Sequence, residues 1–316
     1  MIALYIISSI ILILFIYILI SSIIYKRSLF SSLVELYLYV TSKHKWHKRL
    51  PKTFISFIKK HHIKENKEII LKDKHLNIKK INYKNMKTFI ITPTQNAKNV
   101  VIYLHGGAYI SNPTYFHNRY VKKLAKKSNS IVIYPIYPKT PQNNFQKTFS
   151  VVKSLYEDIL KHNKYKTYMI GDSSGGGLSL AILQDSTVLP TYTYLFSPWL
   201  DISLTSKNIE KYEKIDPMLS IIPIRYIGEY YAKGTNLKDF KVSPLYGKVS
   251  SLYNISIIYG DREILYPEIE EFKKKCLKEN INLDFVLKKG MNHCFPLYPI
   301  KEAKVFFNEI VDKIKS

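Results

Sequence analysis

The sequence predicts an α/β architecture: a mostly parallel central sheet with helices on both faces and a helical cap, preceded by an N-terminal transmembrane helix. Three observations carry this. From residue 88 onward, short β-branched or aromatic runs alternate with helix-length amphipathic stretches. Near-continuous apolar strands separated by helices belong to parallel sheets covered on both faces. Residues 203–250 interrupt the alternation with helix-like, Pro-broken segments, which reads as a cap inserted above the sheet. Ile2 to Ile24 is a near-continuous apolar run with no charged side chain. At about 1.5 Å per residue it can cross a hydrocarbon core of roughly 30 Å.

That first run is broken only by Ser8-Ser9 and Ser21-Ser22, whose hydroxyls can bond back to the helix's own carbonyls. A cleaved signal would have a basic stretch, a shorter apolar run and a small-residue cleavage site. No Lys or Arg precedes this run, and Ser21-Ser22 is followed by Ile23-Ile24-Tyr25. An uncleaved anchor over residues 1–25 is therefore expected. Lys26-Arg27 behind it favour a cytoplasmic position for the rest of the chain, although a large folded domain can translocate despite its charge.

The chain has 316 residues, 48 Lys+Arg against 24 Asp+Glu, and a formal net charge of +24. Its 46% hydrophobic content supports a sizeable core and excludes a disordered chain or a small disulfide module. Two cysteines, Cys276 and Cys294, form no CxxC pair. Only five of the basic residues are arginines. Nucleic-acid readers lean on arginine for bidentate contacts, so no nucleic-acid partner is expected. The excess is uneven: residues 26–87 carry 17 Lys+Arg against Glu35, Glu65, Glu68 and Asp73. This stretch is expected to be a mostly helical, basic segment that contributes to the cap. It either meets anionic lipid heads or presents a solvated basic face. Trp46, Phe54, Ile55, Phe57 and Ile58 give it apolar contacts, and Pro51 breaks any helix there.

The catalytic part is expected over 88–316. Strands are expected at 88–92, 100–104, 131–134, 167–170, 191–196, 255–259 and 283–287. Helices are expected at 145–160, 178–184, 267–278 and 300–314.

The chemistry lies at two loops. Gly171-Asp172-Ser173-Ser174-Gly175 follows one strand and opens a helix, which is GxSxG in the context it needs. Gly171 and Gly175 remove Cβ clashes, so Ser173 can stand at the tip of a sharp turn. Ser174 is the rival nucleophile, but Ser173 holds the central position. A phosphate loop would want GxxxxGK[ST], and no lysine follows here. His105-Gly106-Gly107-Ala108-Tyr109 follows strand 100–104. Its backbone N–H groups at Gly106, Gly107 and Ala108, with that of Ser174, are candidates for an oxyanion hole. His105 precedes the nucleophile and is expected to buttress this loop.

With these motifs the chain resembles the hormone-sensitive-lipase-like branch of the α/β-hydrolase fold, which includes bacterial carboxylesterases and membrane-anchored deacetylases. Further stretches are similar to that branch: Tyr134-Pro135-Ile136-Tyr137-Pro138 with Phe145, Ser197-Pro198-Trp199-Leu200-Asp201, Asp216-Pro217-Met218-Leu219 and Val242-Ser243-Pro244-Leu245. The likeness runs over roughly 88–316. Ala108 departs from the usual third glycine, and its methyl would narrow the acyl pocket. The resemblance implies a triad in the order Ser, acid, His. Tyr259-Gly260-Asp261-Arg262-Glu263-Ile264-Leu265 then supplies the acid, Glu263 by the branch's G-x-x-[DE]-x-L pattern, with Asp261 as the alternative. His293 in Gly290-Met291-Asn292-His293-Cys294 supplies the base.

The implied activity is hydrolysis of carboxylic esters, short- to medium-acyl or acetyl, through an acyl-enzyme. A small lipophilic ester would be the substrate, and the membrane a partner through residues 2–24 and 26–87. No cofactor is expected. The histidines at 44, 47, 61 and 62 lack acids or cysteines at ligand spacing, so no metal site is expected either. Tyr212, Tyr226, Tyr230, Tyr231 and Tyr246 would give the cap an apolar to amphipathic lining. The competing functional classes are a catalytically silent hydrolase fold that binds a lipophilic ligand, and a surface-binding scaffold. Nothing in the sequence speaks to oligomeric state.

Overall fold

The computed structural model describes residues 2–43, 56, 68–94, 96–162 and 164–316. Residues 44–55 and 57–67 of the basic segment, including Trp46, Pro51, Phe54, Ile55, Phe57, Ile58 and the histidines at 44, 47, 61 and 62, lie outside the described residues.

Helix α1 (Ile2–Ile24) is followed, after a short turn, by α2 (Leu29–Leu38). Ser28 caps α2 by accepting from Ser31 N–H. The strands are β1 (Leu76–Tyr83), β2 (Met86–Pro93), β3 (Asn99–Leu104), β4 (Ser130–Pro135), β5 (Lys166–Asp172), β6 (Tyr192–Phe196), β7 (Ile255–Arg262) and β8 (Asp284–Asn292). They form one sheet in the order β1-β2-β4-β3-β5-β6-β7-β8. The pairs β1–β2 and β2–β4 are antiparallel, and β4 through β8 run parallel. All six residues of β3 are buried, as two-sided burial of a central strand requires.

Helices lie between these strands and after the last: α3 (Tyr115–Ser128), α4 (Phe145–His162), α5 (Ser173–Gln184), α6 (Ile209–Glu213), α7 (Ile221–Ala232), α8 (Tyr266–Lys278) and α9 (Lys301–Lys315). They sort into two apolar layers. Phe149 and Val152 of α4, Leu180 of α5 and Phe272 of α8 pack with Val100, Ile102 and Leu104 of β3. Val121 and Leu124 of α3 and Phe307 and Ile310 of α9 pack with Val101 and Tyr103. The period-2 alternation of β3 thus feeds both layers.

Two expectations need correction. The segment 26–87 is not helical to its end. Its last twelve residues hold β1 and the start of β2, joined by Lys84-Asn85, both with positive φ as a type I′ hairpin turn requires. β1 is an edge strand with half its length wet, and Lys79-Lys80 interrupts the alternation that would reveal it. The cap's aromatic residues also sit elsewhere than expected. Tyr231 is fully buried and stacks on Tyr109 at 3.7 Å between ring centres. The cap's wall of the pocket over Ser173 is made instead by Met218, Leu219 and Ile224. Helix α3, absent from the expected helices, connects β3 to β4 and covers the sheet there.

Candidate active site

The parallel strands end at one edge of the sheet, and the predicted residues collect there. β5 finishes at Asp172 and α5 begins at Ser173 with no loop between. Ser173 has φ 51°, a left-handed conformation for a non-glycine residue. The turn is tight enough that a Cβ on Gly175 would press into the Leu104 carbonyl. The Ser173 carbonyl accepts from Trp199 N–H at 3.0 Å, which fixes the elbow from the far side.

His293 follows the end of β8 and reaches this elbow. Its Nε2 lies 3.0 Å from Ser173 Oγ, and its Nδ1 lies 2.5 Å from Glu263 Oε2. Glu263 is fully buried. Its other oxygen, Oε1, accepts from Ser197 Oγ at 2.7 Å and Gly260 N–H at 3.2 Å. Ser197 Oγ in turn accepts from Cys294 N–H at 3.1 Å. Burial pulls the His293 pKa down, but the Glu263 carboxylate outweighs it and holds the value above the ordinary one. Of the two candidate acids, the structure brings Glu263 to the imidazole. Asp261 points away and accepts from Gly290 N–H at 2.7 Å.

The loop after β3 wraps Ser173 from the other side. Gly107 has φ 124°, a region open to glycine alone, and Ala108 has φ 51°. One expected donor is removed here. Gly106 N–H donates to Asp172 Oδ2 at 3.0 Å, so it is committed to that carboxylate. Gly107, Ala108 and Ser173 all border the same pocket. Ser174, the second residue of α5, has no carbonyl one turn back in the helix for its N–H. His105 is buried, stacked on Tyr137 at 4.5 Å, and contacts the Gly106 carbonyl through Nδ1 at 2.5 Å. Burial, with help from Lys139, drops its pKa to about 3, so it is neutral.

Two contributors were given no role by the motifs. His117, on α3, places Nε2 3.0 Å from Asp172 Oδ2. Thr114 N–H donates to its Nδ1 at 2.9 Å, which assigns the proton to Nε2. Asp172 therefore accepts from His117, Gly106 N–H and Tyr103 OH. Burial works to raise the Asp172 pKa, but His117 and Tyr103 hold it below the ordinary value. It ties α3, the glycine loop and the elbow together. Ser197 is the second, an oxygen ligand to Glu263 from the end of the neighbouring strand β6. Its motif names no partner, and 66 residues separate it from Glu263, so the contact emerges only from strand order.

Asp216, from the cap, accepts from Ile264 N–H at 2.9 Å and from Met218 and Leu219 N–H, which joins the cap to the Glu263 loop. Burial raises its pKa to about 6. Cys294 Sγ sits 3.4 Å from His293 Nε2. Burial keeps it a thiol, with its pKa pushed well up. The pocket above Ser173 holds about 490 Å³ and is walled by α2, the glycine loop, α3 and the cap. Among the described residues, no group of three His, Cys, Asp or Glu could hold a metal.

This elbow, imidazole and buried carboxylate on a doubly covered parallel sheet define the α/β-hydrolase class. The sequence pattern describing the alpha/beta hydrolase fold matches residues 101–297, well over half of the chain, and the chain belongs to that family. It is 28% identical to an esterase of Acinetobacter venetianus over 226 residues, 69% of this chain and 75% of that one. It superposes on a solved structure described as a presumptive esterase from Staphylococcus aureus. The TM-score there is 0.79 at 27% identity, over 85% of this chain and 95% of that one. An esterase from the bacterial hormone-sensitive lipase family is similar in fold, with a TM-score of 0.70 at 19% identity over 85% and 99% of the two chains. The resemblance drawn from the motifs stands.

Proposed function

We propose that the chain is a carboxylic ester hydrolase in which Ser173, His293 and Glu263 act as nucleophile, base and orienting acid. The carrying observation is the run of contacts from Ser173 Oγ to His293 Nε2 at 3.0 Å and from Nδ1 to Glu263 at 2.5 Å. Neutral His293 takes the Ser173 proton as Oγ attacks the ester carbonyl. Glu263 holds the proton-bearing Nδ1 toward itself and stabilises the imidazolium. Charge building on the carbonyl oxygen is met by the N–H groups of Ser174 and of Gly107 or Ala108. Each such donor is worth roughly 2.7–4 kcal/mol in the transition state. His293 then protonates the leaving alcohol. Water, deprotonated by the same imidazole, attacks the acyl-enzyme and releases the acid.

The substrate class is a short- to medium-acyl ester with a lipophilic part. The apolar cap wall of Met218, Leu219 and Ile224, and the Ala108 methyl at the mouth of the hole, support this. A name of esterase on relatives over most of the chain supports it as well. We assign α1 to a bilayer. It carries no charged side chain, and its side chains from Tyr5 to Ile24 are largely exposed, which a core helix of a water-soluble domain would not be.

The test is hydrolysis of nitrophenyl esters of increasing acyl length, with fluorophosphonate labelling of Ser173. Ser173→Ala should lower the rate by about 10⁴-fold or more and abolish labelling. Activity equal to the parent's in that variant sinks the assignment.

A further inference from the structure

Helix α2 is built inside out. Its buried positions are Ser31, Ser32, Glu35 and Leu38. Its outward positions are Leu29, Phe30, Leu33 and Tyr37, all between 44% and 57% exposed. Between Arg27 and Lys43, Glu35 is the sole charged residue. A surface helix of a water-soluble domain shows the opposite arrangement, apolar toward the core and polar outward.

The inner face cannot simply be rotated out. Ser31 Oγ donates to Glu302 at 2.5 Å, and Ser28 N–H donates to the same carboxylate at 2.6 Å. Arg27 donates to Ser32 Oγ at 3.0 Å and pairs with Glu35, while Arg262 grips Glu35 through two bonds at 3.0 and 2.9 Å. The apolar face is therefore held outward by a set of polar contacts on the opposite side.

Two further observations say what covers that face. It follows α1 across the turn Tyr25–Ser28, and the apolar side chains of α1 from Tyr5 to Ile24 are likewise largely exposed. The far end of α2 also forms part of the pocket wall, through Tyr37 and Leu38, opposite Tyr115, which is 74% exposed. A face that starts at a bilayer-length helix and ends at the pocket suits a lipid surface.

We propose that the outer face of α2 lies in the bilayer interface and seats the mouth of the Ser173 pocket on the membrane, so that the ester enters from the lipid phase. The substrate class narrows to an ester dissolved in, or part of, the bilayer. This rests on the ester-hydrolase reading and on α1 being in the membrane.

The experiment uses the full chain in vesicles of three parts phosphatidylethanolamine to one part phosphatidylglycerol. Leu33→Cys is labelled with an environment-sensitive fluorophore, with Val188→Cys, exposed and far from α2 in the fold, as the reference. Label at residue 33 should shift to the blue and be quenched by lipid-borne quencher, while label at 188 should not. The double variant Phe30→Ser/Leu33→Ser should keep its rate on water-soluble nitrophenyl acetate within about twofold. It should lose roughly tenfold or more on a long-chain ester carried in the vesicles, because interfacial binding scales with the apolar area inserted.

A water-exposed label at 33 overturns the proposal, as does equal loss on both esters in a variant of native thermal stability. A blue shift that appears without lipid and fades on dilution of the protein also overturns it, in favour of a second copy. If the double variant does not fold, the labelled single variant alone decides. Failure of the hydrolase reading looks different: the parent chain would then cleave neither ester, whatever the label reports.

Discussion

Two buried ionic networks meet at one peptide bond. On one side, Glu263 holds His293 against Ser173. On the other, Arg262 joins Arg27 around Glu35 and lies over the Tyr25 ring at 3.9 Å. Each has a buried carboxylate at its centre. They differ in the partner. An imidazole changes charge near neutral pH, so the first network can pass a proton. A guanidinium stays charged, so the second can only hold position. Adjacent residues at the end of β7 would thus serve the proposed chemistry and the attachment of α2.

The largest effect should come from disabling the titrating network. Glu263→Gln should reverse the tautomer preference of His293 and lower kcat/KM by about 10³–10⁴-fold. The same variant carries a pH signature. His293 acts as a base only when neutral, and its pKa stands above the ordinary 6.5. Activity should therefore rise with pH along a limb above pH 6.5, and that limb should move to lower pH in Glu263→Gln. A parent limb below 6.5 would break the link between Glu263 and the imidazole.

The static network should respond in stability. Glu35→Ala leaves two buried guanidinium groups without their acid and should cost about 3–5 kcal/mol in denaturant unfolding. Burial works to raise the Glu35 pKa, but the two arginines outweigh it and hold it below 4.5. Its contribution is therefore complete above the unfolded value and is lost as pH falls through the lower folded one. A midpoint unchanged in Glu35→Ala would show that the contact is incidental.

Smaller effects should separate near neighbours. Ser197→Ala removes one ligand of Glu263, and a net hydrogen bond to a charged group is worth about 1.5–3 kcal/mol. About a tenfold or larger drop in kcat is the expected reading. Asp261→Asn keeps an acceptor for Gly290 N–H and should leave kcat within about threefold. A loss as large as that of Glu263→Gln would return Asp261 to the triad.

Much of this was legible from local pattern. The elbow, the glycine loop and the order of Ser173, Glu263 and His293 are short motifs at strand ends, where backbone geometry limits the residue types. The strands of the parallel region are apolar on both faces, so their runs stand out. What the sequence hid depends on distant partners. Ser197 matters because β6 lies beside β7, and His117 because α3 folds over the elbow. The commitment of Gly106 N–H to Asp172 removes a donor that the motif alone offers. β1 is half wet, so its alternation is diluted by lysine. The inverted face of α2 was masked by averaging it with the basic residues around it.

The junction at Arg27 has one more consequence. Its guanidinium donates to the Gly290 carbonyl at 2.8 Å and to Ser21 Oγ at 2.7 Å, so the end of α1 is fastened to the end of β8, which leads into His293. A domain on a flexible tether sweeps a volume that grows with the tether's length. This one has no tether to sweep with. With α1 in a bilayer as proposed, bonded contacts would set its height above that bilayer, so it would sample esters at a single depth. Molecules whose carbonyl rides deeper or shallower in the leaflet would pass beneath or above the serine unread.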